Sequence, residues 1–274
     1  MAAECGVNGA TLHHEQYGPH EGPPVLLVHG HPFDHTLWEP QARALAGAGH
    51  RVIVPDLRGY GRSALPAGAE RTHLSDFADD LVALLDRLGV SDAVVGGVSM
   101  GGQIAMDLAV RHPGRVRALV LSDTSPVAES QEGKAFRNRL ADRLLAEGMD
   151  GFAQEVIDRM IAPYNVTDQP EVADHVLRMM RGTDPRAAAA ALRGRAERPD
   201  YREGLAALEV PVLVVVGADD GYTPVADARA LHELLRRASL TVIERAGHLP
   251  GLEQPDAFNA ALLSFLDSVA PSGS

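Results

Sequence analysis

The chain has one cysteine, Cys5, in 274 residues. A lone thiol closes no internal bridge, so a fold held by disulfides is excluded. Long apolar runs are missing too: none approaches the roughly 18 residues of a membrane-crossing helix, and the longest have the length of buried strands. Membrane insertion is not expected. The opening MAAECGVNGA lacks the basic and apolar regions of a signal peptide, which makes the cytoplasm the expected location. Basic residues are in deficit, 25 Lys and Arg against 37 Asp and Glu, and the resulting net charge of −12 repels phosphate backbones. Nucleic acid is therefore not an expected partner. His13, His14, His20, His50 and His112 have no Cys or carboxylate partners at metal-ligand spacing, so surface or loop roles are expected for them and no metal site. Gly97 to Gly102 reads GVSMGG, which is not the G-x-G-x-x-G of a dinucleotide site, so no cofactor is expected.

What is present is an ordinary globular composition, 45% hydrophobic and 23% charged, long enough for one domain or for a core with an inserted subdomain. Apolar strand-like runs at Pro24 to Val28, Arg51 to Val54, Ala93 to Val98 and Val116 to Leu121 alternate with helical spacing over Thr36 to Ala48, Leu74 to Leu88 and Met100 to Arg111. Repeated βα units predict a mostly parallel, doubly wound α/β sheet with right-handed crossovers. The rhythm stops after Asp123-Thr124-Ser125-Pro126. It resumes with strands at Pro211 to Val216 and Leu240 to Ile243, a helix over Val225 to Arg236 and a closing helix from Pro255 to Val269. Residues 127–208 read as an inserted helical cap, and 1–126 with 209–274 as the core. The tail Pro271 to Ser274 reads as frayed.

The strongest chemical signal is Gly97-Val98-Ser99-Met100-Gly101, a G-x-S-x-G string between a strand and a helix. Small residues there let the chain turn sharply and lift the Ser99 hydroxyl above the sheet as a nucleophile. An alcohol needs a base, and His248 lies just beyond the last predicted strand, where a loop reaches over the carboxyl edge. The histidine needs an orienting carboxylate; Asp219 and Asp220 both follow the preceding strand. Donors for an oxyanion are expected from the amide of Met100 and, in the loop His29-Gly30-His31-Pro32, from that of His31. Phe136, Phe152, Tyr164, Met179 and Met180 in the cap are candidates for an apolar substrate pocket. Asp56 to Ser63, DLRGYGRS, lacks the strand-to-helix turn and reads as a structural loop.

Taken together, HGHPFDHTLW, VPDLRGYGRS, GVSMGG, VVGADDGYTP and AGHLPGLEQPDAF resemble the successive landmarks of the capped α/β-hydrolase superfamily over about residues 11 to 268. The resemblance implies nucleophile, acid and base in the order Ser99, Asp220, His248. It selects Asp220 through the G-x-x-D pattern beginning at Gly217. A serine at the elbow departs from the aspartate of haloalkane dehalogenases and epoxide hydrolases. The elbow and the HG-x-P-F-D loop are similar to those of enol-lactonases, arylesterases and cofactor-free haloperoxidases, although His31 stands where many relatives carry Trp, Phe or Asn. The expectation is a serine hydrolase that cleaves a small-molecule ester, lactone or related acyl compound. The alternatives are a cofactor-free oxidoreductase or perhydrolase, a carbon-carbon bond hydrolase, and a non-catalytic ligand-binding member of the fold. Acyl size and oligomeric state are not readable at this level.

Overall fold

Continuous apolar runs become strands covered on both faces, and that is how the sheet is built. The computed structural model describes residues 2–269, so the tail expected to fray lies outside the described residues. Strands β1 (Ala2–Val7), β2 (Ala10–Tyr17), β3 (Pro24–Val28), β4 (Arg51–Pro55), β5 (Ala93–Val98), β6 (Val116–Ser122), β7 (Val212–Gly217) and β8 (Ala238–Ile243) form one sheet. Their order is β1-β2-β4-β3-β5-β6-β7-β8, parallel from β4 to β8, with β1 and β2 joined antiparallel. From β3 the sheet grows outward on both sides, through β4 on one and β5 on the other. The crevice beyond the carboxyl ends of β3 and β5 is the switch point where such sheets bind ligands.

Strand period two sorts the core into two layers. Val25, Leu27, Val52, Val54, Val120 and Val215 face α1 (Glu39–Gly47) and, at the far end of the chain, a C-terminal helix carrying Phe258 and Leu262. Leu26, Val28, Ile53, Val95, Leu121 and Val214 face α2 (Leu74–Arg87) and α3 (Met100–Arg111). Between β6 and β7 lie α4 (Gln131–Glu147), α5 (Asp150–Met160), α6 (Pro163–Asp168), α7 (Pro170–Gly182), α8 (Pro185–Ala196) and α9 (Arg202–Ala207). These helices occupy the segment read from the sequence as a cap, with α4 packed on α8 and α5 on α7. The chain then closes through α10 (Val225–Leu234), α11 (Pro250–Glu253) and α12 (Pro255–Ser268). No helix among the described residues is long and apolar enough to cross a membrane.

The structure departs from the sequence reading in three places. The hairpin of β1 and β2 is additional; Asn8 and Gly9 turn it with positive φ (42° and 77°), the signature of an Asn-Gly hairpin turn. His13 and His14 lie on β2 and are buried rather than at the surface, because the strand is covered on both sides. The helix expected over Thr36 to Ala48 is split into a 3-10 turn, His35–Trp38, and α1. Asp34 caps that turn through the Thr36 amide (2.9 Å), and Pro40, having no N–H to donate, starts the α-helix afresh.

Buried Asp56 ties the β3 and β4 loops together. Its Oδ1 accepts from the backbone N–H and the Nδ1 of His35 (both 2.8 Å), and its Oδ2 from the Arg62 amide (2.9 Å). Burial pushes the His35 pKa down, but the bond to Asp56 and the charges of Asp56, Asp34 and Glu15 prevail and leave it above 6.5. Burial raises the Asp56 carboxyl, and the His35 bond and charge, His29 and the Arg62 amide bring it below 3.8. A raised histidine stabilises fully below its unfolded value and loses that contribution as pH rises through the folded one. A lowered carboxylate stabilises above its unfolded value and loses it as pH falls. His35→Gln is therefore expected to lower the melting temperature most below about pH 6.5, the unfolded histidine value, and progressively less as the pH rises above it, read from thermal unfolding across that range.

Candidate active site

Beyond the carboxyl end of β5 the chain turns into α3 through Ser99, whose φ of 55° and ψ of −118° place it in the left-handed half of backbone space. A non-glycine residue held there stores on the order of 1–3 kcal/mol of strain, which the surroundings must impose. They do so by close packing. A Cβ on Gly97 would sit 2.2 Å from the Gly101 oxygen, and one on Gly101 would sit 2.2 Å from the Val28 oxygen of β3. The elbow is further fixed by the Ser99 N–H bond to Ser122 O (3.0 Å) and by the Thr124 hydroxyl donating to Ser99 O (2.7 Å). Ser99 is thus raised at the N-terminus of α3, 5% exposed.

The histidine and the acid come from the loops after β8 and β7. His248 Nδ1 is 2.8 Å from Asp220 Oδ2, and both residues are buried. Asp220 Oδ1 accepts from the Tyr222 amide (2.7 Å). Burial pushes the Asp220 carboxyl up; the His248 charge and bond and the amides of Tyr222 and Thr223 outweigh it and hold it below its ordinary value. Its neighbour Asp219 points elsewhere, accepting from the Tyr164 hydroxyl on α6 at 2.5 Å. Among the described residues no hydrogen bond occupies Ser99 Oγ or His248 Nε2. The Tyr222 ring packs against His248 at 5.1 Å between centroids, tilted by 59°, and the Arg159 guanidinium lies over the Tyr222 ring, 4.2 Å from its centroid.

The loop after β3 approaches from the other side of the switch point. His29 fixes it: Nδ1–H donates to Gly30 O (2.8 Å) and Nε2 accepts from the Leu57 amide (3.0 Å). His31 and Met100 are buried, and neither backbone N–H is engaged by another described residue. The His31 ring is bound at Nδ1 by Tyr60 Oη (2.8 Å). The five cap candidates do not converge. Phe152, Met179 and Met180 are buried in one apolar cluster with Val156 and Val176; Phe136 is 57% exposed on α4, and Tyr164 is committed to Asp219.

Two buried carboxyls at this edge were not singled out in the sequence. Asp123, at the end of β6 with φ of 48°, accepts from Gly217 N (2.9 Å) and Ser122 Oγ (2.5 Å), with its side chain grouped with Asp220 and His248 within 4.8 Å. Burial and then the Asp220 charge push its pKa well above the ordinary carboxylate value. Its only sequence signal was its place directly after a strand. Glu253 accepts from Gly247 N (2.8 Å), Leu249 N (3.3 Å), Ala162 N (2.8 Å) and Asn165 Nδ2 (2.7 Å). It therefore clamps both flanks of His248 and joins them to α6. No spacing in the sequence signals that role.

A buried serine, histidine and aspartate are thus carried at three separate strand ends of a mostly parallel sheet. Residues 23–255 match the family model of the alpha/beta hydrolase fold, and the chain belongs to that family. It is 31% identical to 3-oxoadipate enol-lactonase 2 of Acinetobacter baylyi, covering 92% of this chain and 91% of that one. Among solved structures it is similar to a thermophilic esterase from Thermogutta terrifontis, with a TM-score of 0.93, 37% identity, and coverage of 98% and 99% of the two chains. It is also similar to the enol-lactonase from Burkholderia xenovorans LB400, with a TM-score of 0.89, 28% identity, and coverage of 97% and 100%.

Replacing Glu253 by Gln puts an amide N–H where a buried oxygen accepts backbone donors. Leaving such donors unpaired costs about 2 kcal/mol, so Glu253→Gln is expected to lower the melting temperature by about 4–8 °C in calorimetry. An unchanged melting temperature would show that the clamp carries no stability.

Proposed function

We propose that this chain is a serine hydrolase that cleaves a carboxylic ester or lactone through an acyl-enzyme. The reading is carried by one observation: the His248 Nδ1 bond to Asp220, 2.8 Å long, on the same sheet edge as the left-handed Ser99 elbow. The relatives named as esterase and enol-lactonases support the same reaction class.

In this mechanism His248 Nε2 takes the Ser99 proton as Oγ attacks the carbonyl carbon. Its Nδ1–H donates to Asp220, which fixes the tautomer and stabilises the imidazolium that forms. The raised Asp123 pKa disfavours a second negative charge beside this pair. The carbonyl oxygen, becoming an oxyanion, is received by the Met100 and His31 amides, and each such donor lowers the barrier by about 3 kcal/mol. Collapse breaks the acyl–oxygen bond, and His248 returns its proton to the leaving alkoxide. Water, deprotonated by the same imidazole, then attacks the acyl-enzyme; the acyl–Oγ bond breaks, the imidazolium returns the proton to Ser99 Oγ, and the acid is released. In a lactone the leaving alkoxide stays on the same molecule, so a single hydroxy acid is the product.

The test is hydrolysis of a panel of short and medium esters and simple lactones. Ser99→Ala is expected to abolish turnover while leaving the melting curve in place. Asp220→Asn is expected to lower kcat by about 10⁴-fold, the cost of a wrong histidine tautomer, and Asp219→Asn far less. Retained turnover in Ser99→Ala overturns the reading; a larger loss in Asp219→Asn than in Asp220→Asn overturns the choice of acid.

A further inference from the structure

Arg195, in the last turn of α8, is a partly buried cation with no ion pair among the described residues. Its Nε donates to Gln103 Oε1 (2.8 Å) on α3, whose own amide bonds back to Ser99 O (3.2 Å). The acid of this region is already shared: Arg137 Nε and Arg198 Nη1 both donate to Glu129 Oε2. Three guanidiniums thus meet one carboxylate, in a chain whose net charge is −12. A cation taken partly out of water without a partner is costly, and such an arrangement calls for an anion.

The surplus charge reaches the side chains that flank Ser99 and His248. Arg195 acts electrostatically on His31 and Tyr60 beside the elbow, and on Tyr222, the ring over His248. On this side His31 Nε2 is buried and bonded to nothing. Tyr60 Oη has no other partner among the described residues, so its O–H is satisfied by donating to His31 Nδ1 (2.8 Å). That leaves the ring proton on Nε2, an unused donor. Burial, then Arg195 and Arg137, hold the ring neutral.

We propose that the Arg195 guanidinium and His31 Nε2–H form a recognition site for an anionic group of the substrate, and that the compound cleaved at Ser99 is an acyl compound bearing a carboxylate. The free Nη edge of Arg195 presents parallel N–H groups to the two oxygens, a geometry a carboxylate matches and an alkyl chain does not. One carboxylate balances the one unpaired guanidinium. The proposal rests on the serine-hydrolase reading and adds its substrate class.

The experiment compares kcat/KM for monomethyl glutarate and methyl pentanoate, which have equal acyl carbon chains, in the natural sequence, Arg195→Ala, Arg195→Lys and Ser99→Ala. The natural sequence is expected to prefer the anionic ester. Arg195→Ala is expected to lower the anionic-to-neutral ratio about 30-fold, the loss of a charge-assisted bond, with partial recovery in Arg195→Lys. Were Arg195 only a brace between α8 and α3, both esters would suffer alike and the ratio would stand, which overturns the proposal. Calorimetric titration of Ser99→Ala with glutarate reads the same site without turnover, and an affinity indifferent to Arg195→Ala also overturns it. Turnover that survives in Ser99→Ala strikes the serine-hydrolase reading instead, and an unmoved ratio with serine-dependent turnover strikes the anion site alone.

Discussion

How closely the first turn of α3 approaches the backbones of β3 and β5 governs the rest of the carboxyl edge. Glycine at 97 and 101 allows that approach, with added Cβ atoms falling 2.2 Å from carbonyl oxygens. The approach forces Ser99 to a φ of 55°, and the resulting strain is held by burial of nearly every residue of α3 from Met100 to Ala109. Burial of several aliphatic side chains at about 1.5–3 kcal/mol each exceeds the strain of one residue, so the elbow persists. The same packing sets Val28 and His29 against α3, and the loop that follows β3 is thereby brought to Ser99.

A second constraint is electrostatic. Three carboxyls, Asp123, Asp220 and Glu253, are buried around His248, and they cannot all be treated alike in a place with little water. Asp220 stays charged because the histidine and two amides face it. Asp123 is pushed up by burial and by the Asp220 charge, which disfavours its ionised form. Glu253 is pushed up by burial and pulled back by four donors, and those donors are the backbone on either side of His248 together with α6. The imidazole is thus positioned by one carboxylate that bonds it and another that holds its loop. Helix α6 is linked to the His248 loop through Ala162, Asn165 and Glu253.

The parallel strands were legible because a strand buried on both faces must be apolar throughout, and PVLLV or VLVVVG leaves little else to be. Strand β2 was not, since ATLHHEQY carries His13 and His14 into buried positions, where the His13 amide donates to Ser63 Oγ and its ring meets Arg62. The Asn8-Gly9 turn was the available signal for that hairpin. At the site, G-V-S-M-G is local and readable, because backbone strain is met by small residues next to the serine. Glu253 is unreadable by the same standard: it is one acid on a short helix, and its four partners are brought to it from residues as distant as Ala162.

What the sequence by itself determined is therefore whatever neighbouring residues impose on each other: strand periodicity, the glycine elbow, and the order of serine, acid and histidine after successive strands. Tertiary structure alone decided that Asp219 turns to Tyr164, that Asp123 shares the burial of Asp220 and His248, that Glu253 clamps the loop, and that Arg195 is left without an ion pair. These depend on directions of side chains from segments separated by tens to hundreds of positions. A carboxylate or guanidinium acquires its charge state and partners from what is packed against it, and only the folded chain supplies that.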